Sequence, residues 1–320
     1  MFKKSSNIVL GIIFGILAVT VIMVFIFDSG EEVSTFTSDI MNVDSASVNK
    51  IEIMPSDTTK TGVTLEKKQD KWYVHYNGEL VPASQRSVGG IMDALLTMKA
   101  KQLVGKKNQW IEYKVTDTSG TRVAVKGQEG IQTEFIIGKF SYKKPDNPYQ
   151  RQGTMTSYIR LAGKEEVYAV DGFLTFIFQT EPKSYRDAAI TKLQQQAITR
   201  VTFTYPEDSS FVVEKVNQQW QINGNPADSI EVTTYLNQIA MVSGQEFLDD
   251  VPAEHLTNPA YTLRIEGANM AAPQVVHAFP ADSVHQYYIT SSINQGACFS
   301  GMNIFNRLFP EMPEAMTGGE

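Results

Sequence analysis

Apolar residues fall into three patterns along this chain. The first is continuous: Ile8 to Phe27 is twenty residues without a charge, preceded by Lys3 and Lys4 and followed by Asp28, Glu31 and Glu32. As a helix rising about 1.5 Å per residue it would be about 30 Å long, the thickness of a bilayer's hydrocarbon core. A cleaved signal peptide would have a shorter apolar region, about 7 to 15 residues, ending at a small-residue site. Here the run continues into Val24-Phe25-Ile26-Phe27. The expectation is an uncleaved single-pass anchor in a bacterial inner membrane. The lysines hold residues 1–7 in the cytoplasm, and the bulk of the chain is periplasmic. Residues 28–47 are polar, lack apolar periodicity and read as a tether.

The second pattern alternates. In Val48 to Ile53, Val63 to Lys67 and Trp72 to Val74, apolar residues recur at every second position, as in half-buried strands. The third is helical: after a plausible N-cap at Ser84, the residues Val88, Ile91, Met92, Leu95, Leu96 and Met98 recur at i, i+3, i+4 and i+7. The segment Glu66 to Val104 then returns, diverged, at Glu214 to Leu248. Both copies keep a Trp (Trp72, Trp220), an Asn-Gly turn, a capping residue and an apolar helix face, which in the second copy is Val232, Tyr235, Leu236, Ile239 and Ala240. The two tryptophans read as core anchors between sheet and helix.

Further strands are expected at Thr121 to Val125, Glu134 to Gly138, Ser157 to Leu161 and Glu166 to Val170, answered by Tyr261 to Glu266, Gln274 to Phe279, Gln286 to Thr290 and Ala297 to Ser300. Each set ends in a short apolar helix, Gly172 to Phe178 and Gly301 to Phe309. The expected architecture is α+β: an N-terminal transmembrane helix, then two tandem repeats, each an antiparallel sheet with packed helices. The repeats span residues 48–182 and 198–310. A bridge, residues 183–197, joins them and includes a short helix over Ala188 to Gln196; residues 311–320 form a tail.

Composition fits a folded chain, with 320 residues, 42% hydrophobic and 20% charged. The single cysteine, Cys298, permits no internal disulfide and reads as a small buried hydrophobe. The net charge of -7 hides an asymmetry. Residues 48–190 hold 21 Lys and Arg against 16 Asp and Glu, whereas residues 191–320 hold 5 against 14. The repeats have therefore drifted to opposite signs, which is read as different neighbours, attraction across their junction, or simply two differently solvated surfaces.

Candidate catalytic motifs fail on spacing. Ser47-x-x-Lys50, Ser141-x-x-Lys144 and Lys60-Thr61-Gly62 imitate penicillin-binding-protein motifs. That chemistry needs the serine at a helix start and the third motif far downstream on a strand. Here Ser47 enters a strand, Ser141 lies in a Lys-Pro segment, and Lys60 follows Lys50 by ten residues. The histidines His75, His255, His277 and His285 include no helical i, i+4 pair, and His277, Asp282 and His285 make only a remote metal site. No phosphate-cradling glycine loop is present, and neither a cofactor, a metal nor a nucleic-acid partner is expected. The candidate binding surface is the segment from Lys139 to Arg151, read as a loop, which sets Lys139, Lys143, Lys144 and Arg151 among Tyr142 and Tyr149. Such a surface suits anionic headgroups or glycan.

The elements DSSF (Asp208 to Phe211), EKxxxxW (Glu214 to Trp220), WxxNG through ADS (Trp220 to Ser229), YLNQIA (Tyr235 to Ala240), FLDD (Phe247 to Asp250), SSIN (Ser291 to Asn294) and SYRD (Ser184 to Asp187) resemble the domain-of-unknown-function family numbered 4340. The resemblance covers about residues 45–310. It implies a membrane-anchored bacterial envelope protein, in some cases encoded beside ABC-transporter components of the gliding-motility type, and it carries over no catalytic residues. The functional expectation is a non-catalytic accessory or scaffold with a membrane-protein partner. A lipid- or glycan-binding module is the alternative, and a hydrolase comes third.

Overall fold

The computed structural model describes residues 39–145, 153–207, 209–281 and 286–311. The expected anchor at Ile8 to Phe27, most of the tether and all but the first residue of the tail lie outside them. Among the described residues no helix is long and apolar enough to cross a membrane.

The alternating segments form two mostly antiparallel sheets. The first comprises β1 (Val48–Met54), β2 (Val63–Lys68), β3 (Lys71–Tyr76), β4 (Glu79–Pro82), β5 (Ala100–Gly105), β6 (Thr121–Gly127), β7 (Gly130–Lys143), β8 (Thr154–Leu161) and β9 (Val167–Asp171). Their order is β4-β3-β2-β1-β6-β7-β8-β9-β5. Helix α1 (Gln85–Thr97) runs between β4 and β5, and two single-turn helices follow, α2 (Trp110–Tyr113) and α3 (Leu174–Ile177). Next come β10 (Ala189–Lys192), then β11 (Ile198–Thr204), β12 (Phe211–Val216), β13 (Gln219–Ile222), β14 (Asn225–Pro226), helix α4 (Ser229–Ala240), β15 (Met241–Ser243), β16 (Glu246–Phe247), β17 (Tyr261–Gly267), β18 (Gln274–Pro280), β19 (Tyr287–Ser291), β20 (Cys298–Ser300) and helix α5 (Met302–Leu308). The second sheet has the order β14-β13-β12-β11-β17-β18-β19-β20-β16, while β10 and β15 pair separately.

The two orders coincide strand for strand, and so do irregular details. Between β1 and β6 the register slips between Val48 and Lys50; between β11 and β17 it slips between Ile198 and Arg200. The β2–β3 turn holds Gln69 and Asp70 at φ 47° and 62°, and the β12–β13 turn holds Asn217 and Gln218 at 50° and 68°. The Asn-Gly pairs give φ 49° and 84° at Asn77 and Gly78, and 49° and 83° at Asn223 and Gly224. Paired positive φ values match the right-handed twist of the flanking strands, and Asn-Gly is the pair that tolerates them best.

Burial follows the alternation: Ile51, Ile53, Val63, Leu65 and Val74 are fully buried in the first sheet, as are Val201, Leu263 and Ile265 in the second. Trp72 and Trp220 are buried, and Trp220 belongs to the core with Phe203, Phe211, Leu236 and Phe299. Ser84 caps α1 by accepting from Ser87 N at 3.2 Å. Asp228 caps α4, accepting from Ile230 N at 2.7 Å and Glu231 N at 3.2 Å.

The expected face of α1 is narrower than its periodicity suggests. Val88, Ile91 and Leu95 are buried, but Leu96 is exposed and Met92 is only partly covered. The helix expected over Ala188 to Gln196 is instead strand β10 with a single 3-10 turn at Gln195–Ala197, because Ala189 to Lys192 is claimed by β15. Strands β4, β5 and β16 have no periodicity long enough to announce them.

By contact, the described residues divide into one unit of residues 39–67 with Gly89–Pro182 and another of Lys68–Val88 with residues 183–311. The β3–β4 hairpin thus groups by contact with the second unit.

Candidate functional site

Three of the seven motifs behind the family resemblance converge in the second unit. SYRD begins in a 3-10 turn, Pro182–Tyr185, whose backbone is pinned to β4 and the residues after it: Ser84 N donates to Tyr185 O at 2.8 Å, Asp187 N donates to Pro82 O at 2.8 Å, and Ala83 bridges to Arg186. From SSIN, Asn294 Nδ2 donates to Asp187 O at 2.6 Å and Ser291 Oγ to Ile190 O at 2.5 Å; both side chains are otherwise buried. Burying such groups is tolerable because each has a backbone partner.

This frame holds the guanidinium of Arg186, whose side chain is only 9% exposed, between two aromatic rings. Its Cζ lies 3.8 Å from the Phe247 centroid and 4.4 Å from that of Tyr76. Arg186 Nη1 donates to Asp249 Oδ1 at 2.5 Å, and Tyr76 Oη donates to Asp249 Oδ2 at 2.6 Å, so FLDD supplies both a ring and the counter-charge. Burial pushes the Asp249 carboxyl up, but the hydrogen bonds from Tyr76 and Arg186 outweigh it, and the group lies below the usual carboxylate range. The bond to Asp249, with burial, raises the Tyr76 phenol above its ordinary value. At neutral pH the cluster is an ionised carboxylate, a guanidinium and a neutral phenol, each already satisfied.

Two open clefts flank the cluster. One, of about 240 Å³, is lined by Glu79, Pro82, Arg186, Asp187 and Asn294; the other, of about 380 Å³, by Tyr76, Asn77, Arg186, Asp249 and Glu254. Such an arrangement fixes backbone segments and presents a polar surface. It offers no poised nucleophile and base in hydrogen-bond reach of each other. The motif residues were visible in the sequence, but Tyr76 was not, because it lies 110 positions from Arg186 in an ordinary strand pattern.

The basic surface is not the loop expected from sequence. Strand β7 extends through Lys143 and pairs with β8 as far as Lys143 opposite Thr154, so Lys139, Tyr142 and Lys143 are strand residues. Lys139 Nζ lies 4.8 Å from the Tyr113 centroid, 5.7 Å from that of Tyr158 and 3.9 Å from Glu112 Oε1, so its charge is largely engaged within the first unit. Tyr142 is 51% exposed and Lys144 follows the strand end. Tyr149 and Arg151 lie outside the described residues.

The imitation motifs are dispersed. Ser47 Oγ accepts from Gln132 Nε2 at 2.6 Å and Lys50 pairs with Glu52 at 2.9 Å. Ser141 Oγ is 3.3 Å from Tyr158 Oη, on β7. His277 Nδ1 is 3.0 Å from Thr262 Oγ1, and burial lowers its pKa; Asp282 and His285 lie outside the described residues. Among the described residues no group of three potential metal ligands converges.

No curated protein and no solved structure matches the chain. A family described as a domain of unknown function, DUF4340, matches residues 74–259, from within β3 to just before β17, a span that includes Tyr76, Arg186 and Asp249. That match covers more than half of the sequence, and the chain belongs to the DUF4340 family.

Proposed function

We propose that this chain is a non-catalytic accessory or scaffold protein of a bacterial envelope complex, working with an ABC-transporter or gliding-motility-type system. In this reading Ile8 to Phe27 anchors it in the inner membrane, and two tandem α+β repeats, products of one duplication, stand in the periplasm. The observation that carries it is the coincidence of strand order, register slip and turn conformation between two sheets, in a chain whose two halves differ in charge. Shared positions serve packing, and what varies is the exterior, which is how a duplicated module acquires different neighbours. The test is affinity purification of the full chain from membranes with mass spectrometry of what co-purifies. A stoichiometric membrane-protein partner is expected. A lone monomer with no partner at native expression would refute the scaffold, and release of the chain by alkaline carbonate would refute the anchor.

A second reading, binding to an anionic lipid surface, is favoured by one patch of the first unit. Phe176 is 66% exposed, and Phe140, Tyr142 and Met155 are also exposed, with Tyr142 paired across from Met155 and Lys143 and Lys144 adjoining. Aromatic residues beside lysines suit an anionic interface. Flotation with phosphatidylglycerol vesicles should be lost in a Tyr142→Ser, Lys143→Ser, Lys144→Ser variant lacking residues 1–38. No flotation of the parent form removes this reading.

A further inference from the structure

Aromatic side chains gather on the second unit in a way that packing alone does not require. Tyr261 stands edge-on to Tyr205 (5.1 Å, 72°), to Tyr287 (5.7 Å, 85°) and to Phe305 (4.9 Å, 81°), while Tyr287 stacks on Phe305 at 3.7 Å and 4°. Phe305 and Phe309 are buried, but all three tyrosines keep part of their surface open to a cavity of about 620 Å³. Tyr205 is fixed there by its hydroxyl, which donates to Pro310 O at 2.7 Å. Two carboxylates, Glu207 and Glu311, also line the cavity. Glu207 is carried on a tight turn in the left-handed region (φ 56°), closed by Ser209 Oγ donating to Pro206 O at 2.6 Å.

Elsewhere the protein covers aromatic faces with its own cations. Lys107 and Arg160 lie over Trp110, Lys139 over Tyr113 and Tyr158, Arg186 over Tyr76 and Phe247, and Lys215 over Trp220. Among the described residues no lysine or arginine lies over the rings of this cavity or pairs with Glu207 or Glu311. The surrounding half of the sequence, residues 191–320, has 14 acids against 5 bases. Register places Pro55 and Thr121 of the first sheet where the second has Tyr205 and Tyr261, so the first sheet lacks this aromatic pair.

From these features we infer that the cavity bounded by Tyr205, Tyr261, Tyr287, Phe305, Glu207 and Glu311 binds a small organic cation of the substituted-ammonium class. An electron-rich ring face attracts a cation whose methyl groups also replace water on apolar surface, and carboxylates at the same cavity add long-range attraction. A sugar fits less well: the lining holds no side-chain amide or cation, so its donors are hydroxyls alone, of which Tyr205 and Ser209 already donate to Pro310 O and Pro206 O. The inference does not depend on the scaffold reading, and either can fail alone.

The probe is choline, titrated by isothermal calorimetry into the full chain in a non-ionic polyoxyethylene detergent, beside its neutral isostere 3,3-dimethylbutan-1-ol. Saturable choline binding is expected with a Kd of about 1 mM or tighter. The isostere should bind at least about tenfold more weakly. Glu207→Gln with Glu311→Gln, both exposed, should reduce that preference and flatten the salt dependence, while Tyr287→Leu should weaken choline about tenfold. Equal binding of choline and the isostere, no saturable choline binding, or binding of N-acetylglucosamine in preference to choline would each overturn the proposal. Because the double glutamine variant leaves the rings in place, a folding defect in Tyr287→Leu would not rescue it.

Discussion

Replacing Arg186 by alanine should loosen the segment that carries SYRD together with the loop after β16. The side chain is nearly buried, its guanidinium is covered on two sides by Phe247 and Tyr76, and it neutralises Asp249. Breaking a buried ion pair from one side costs about 3 to 5 kcal/mol because the other charge is stranded. Asp249 is 31% exposed, so water would recover part of that, while loss of two ring contacts adds about 1 kcal/mol. A net loss of about 3 kcal/mol corresponds to about a hundredfold fall in the protection of amides that exchange through local opening. Hydrogen exchange of the full chain in detergent, read by mass spectrometry on peptides covering 182–190 and 246–252, measures it directly. Arg186→Lys keeps the charge but not the planar stack and should lose about tenfold. The pH dependence has a defined sign. The Asp249 pKa is lowered on folding, so its contribution is complete above the ordinary carboxylate value and lost as pH falls through the folded one. The difference between wild type and Asp249→Asn should therefore begin to narrow below about pH 4 and close only below the depressed folded value. Protection unchanged within about threefold in Arg186→Ala would refute the reasoning, since it would mean the cluster contributes under about 1 kcal/mol.

Four other outcomes follow from separate features. Asp228→Ala removes the cap of α4 and should cost about 1 kcal/mol, read as a fall of about 2 to 4 °C in thermal melting. Gly244→Ala should destabilise by about 1 to 3 kcal/mol, because its Cβ would be built into the ring of buried Phe299; native expression at wild-type melting temperature would contradict this. Arg160 is buried over Trp110 at 3.9 Å and donates to Val115 O at 2.8 Å and Asp117 Oδ1 at 2.7 Å, so Arg160→Lys should cost about 2 kcal/mol by chemical denaturation. Cys298 is buried and its thiol is pushed up to about 11, so alkylation at pH 8 should be about a hundredfold slower in the folded chain than in denaturant.

Local chemistry made much of this fold readable. Asn77-Gly78 and Asn223-Gly224 dictate tight hairpins, and Ile51, Ile53, Val201 and Phe203 alternate because one sheet face is dry. Short elements escaped because two or three residues carry no period: β16 exists only because Glu246 and Phe247 find Ser300 and Phe299 across 50 or so positions. The same limit explains β10, where a helix-compatible run, Ala188 to Gln196, yields to pairing with β15. Lys139 reads as a free cation in sequence because nothing local reveals Tyr113 and Tyr158 beside it. Likewise SYRD and FLDD are legible as words, but their joint meaning depends on Tyr76, brought in by tertiary pairing.

The outermost strands of the two sheets limit how anything can attach. The first sheet ends on four-residue β4, which closes with Pro82, and on β5, whose pairing with β9 slips twice. The second ends on β14 and β16, two residues each, the former closing with Pro226. A partner adding a strand needs a run of free donors and acceptors in register, and prolines, slips and brevity remove it. At these sheet ends, recognition is therefore favoured through side chains on faces and turns, where one residue can be changed without unzipping a sheet. Among the described residues, the ends of the two sheets likewise give two copies of the chain little template for polymerising edge to edge.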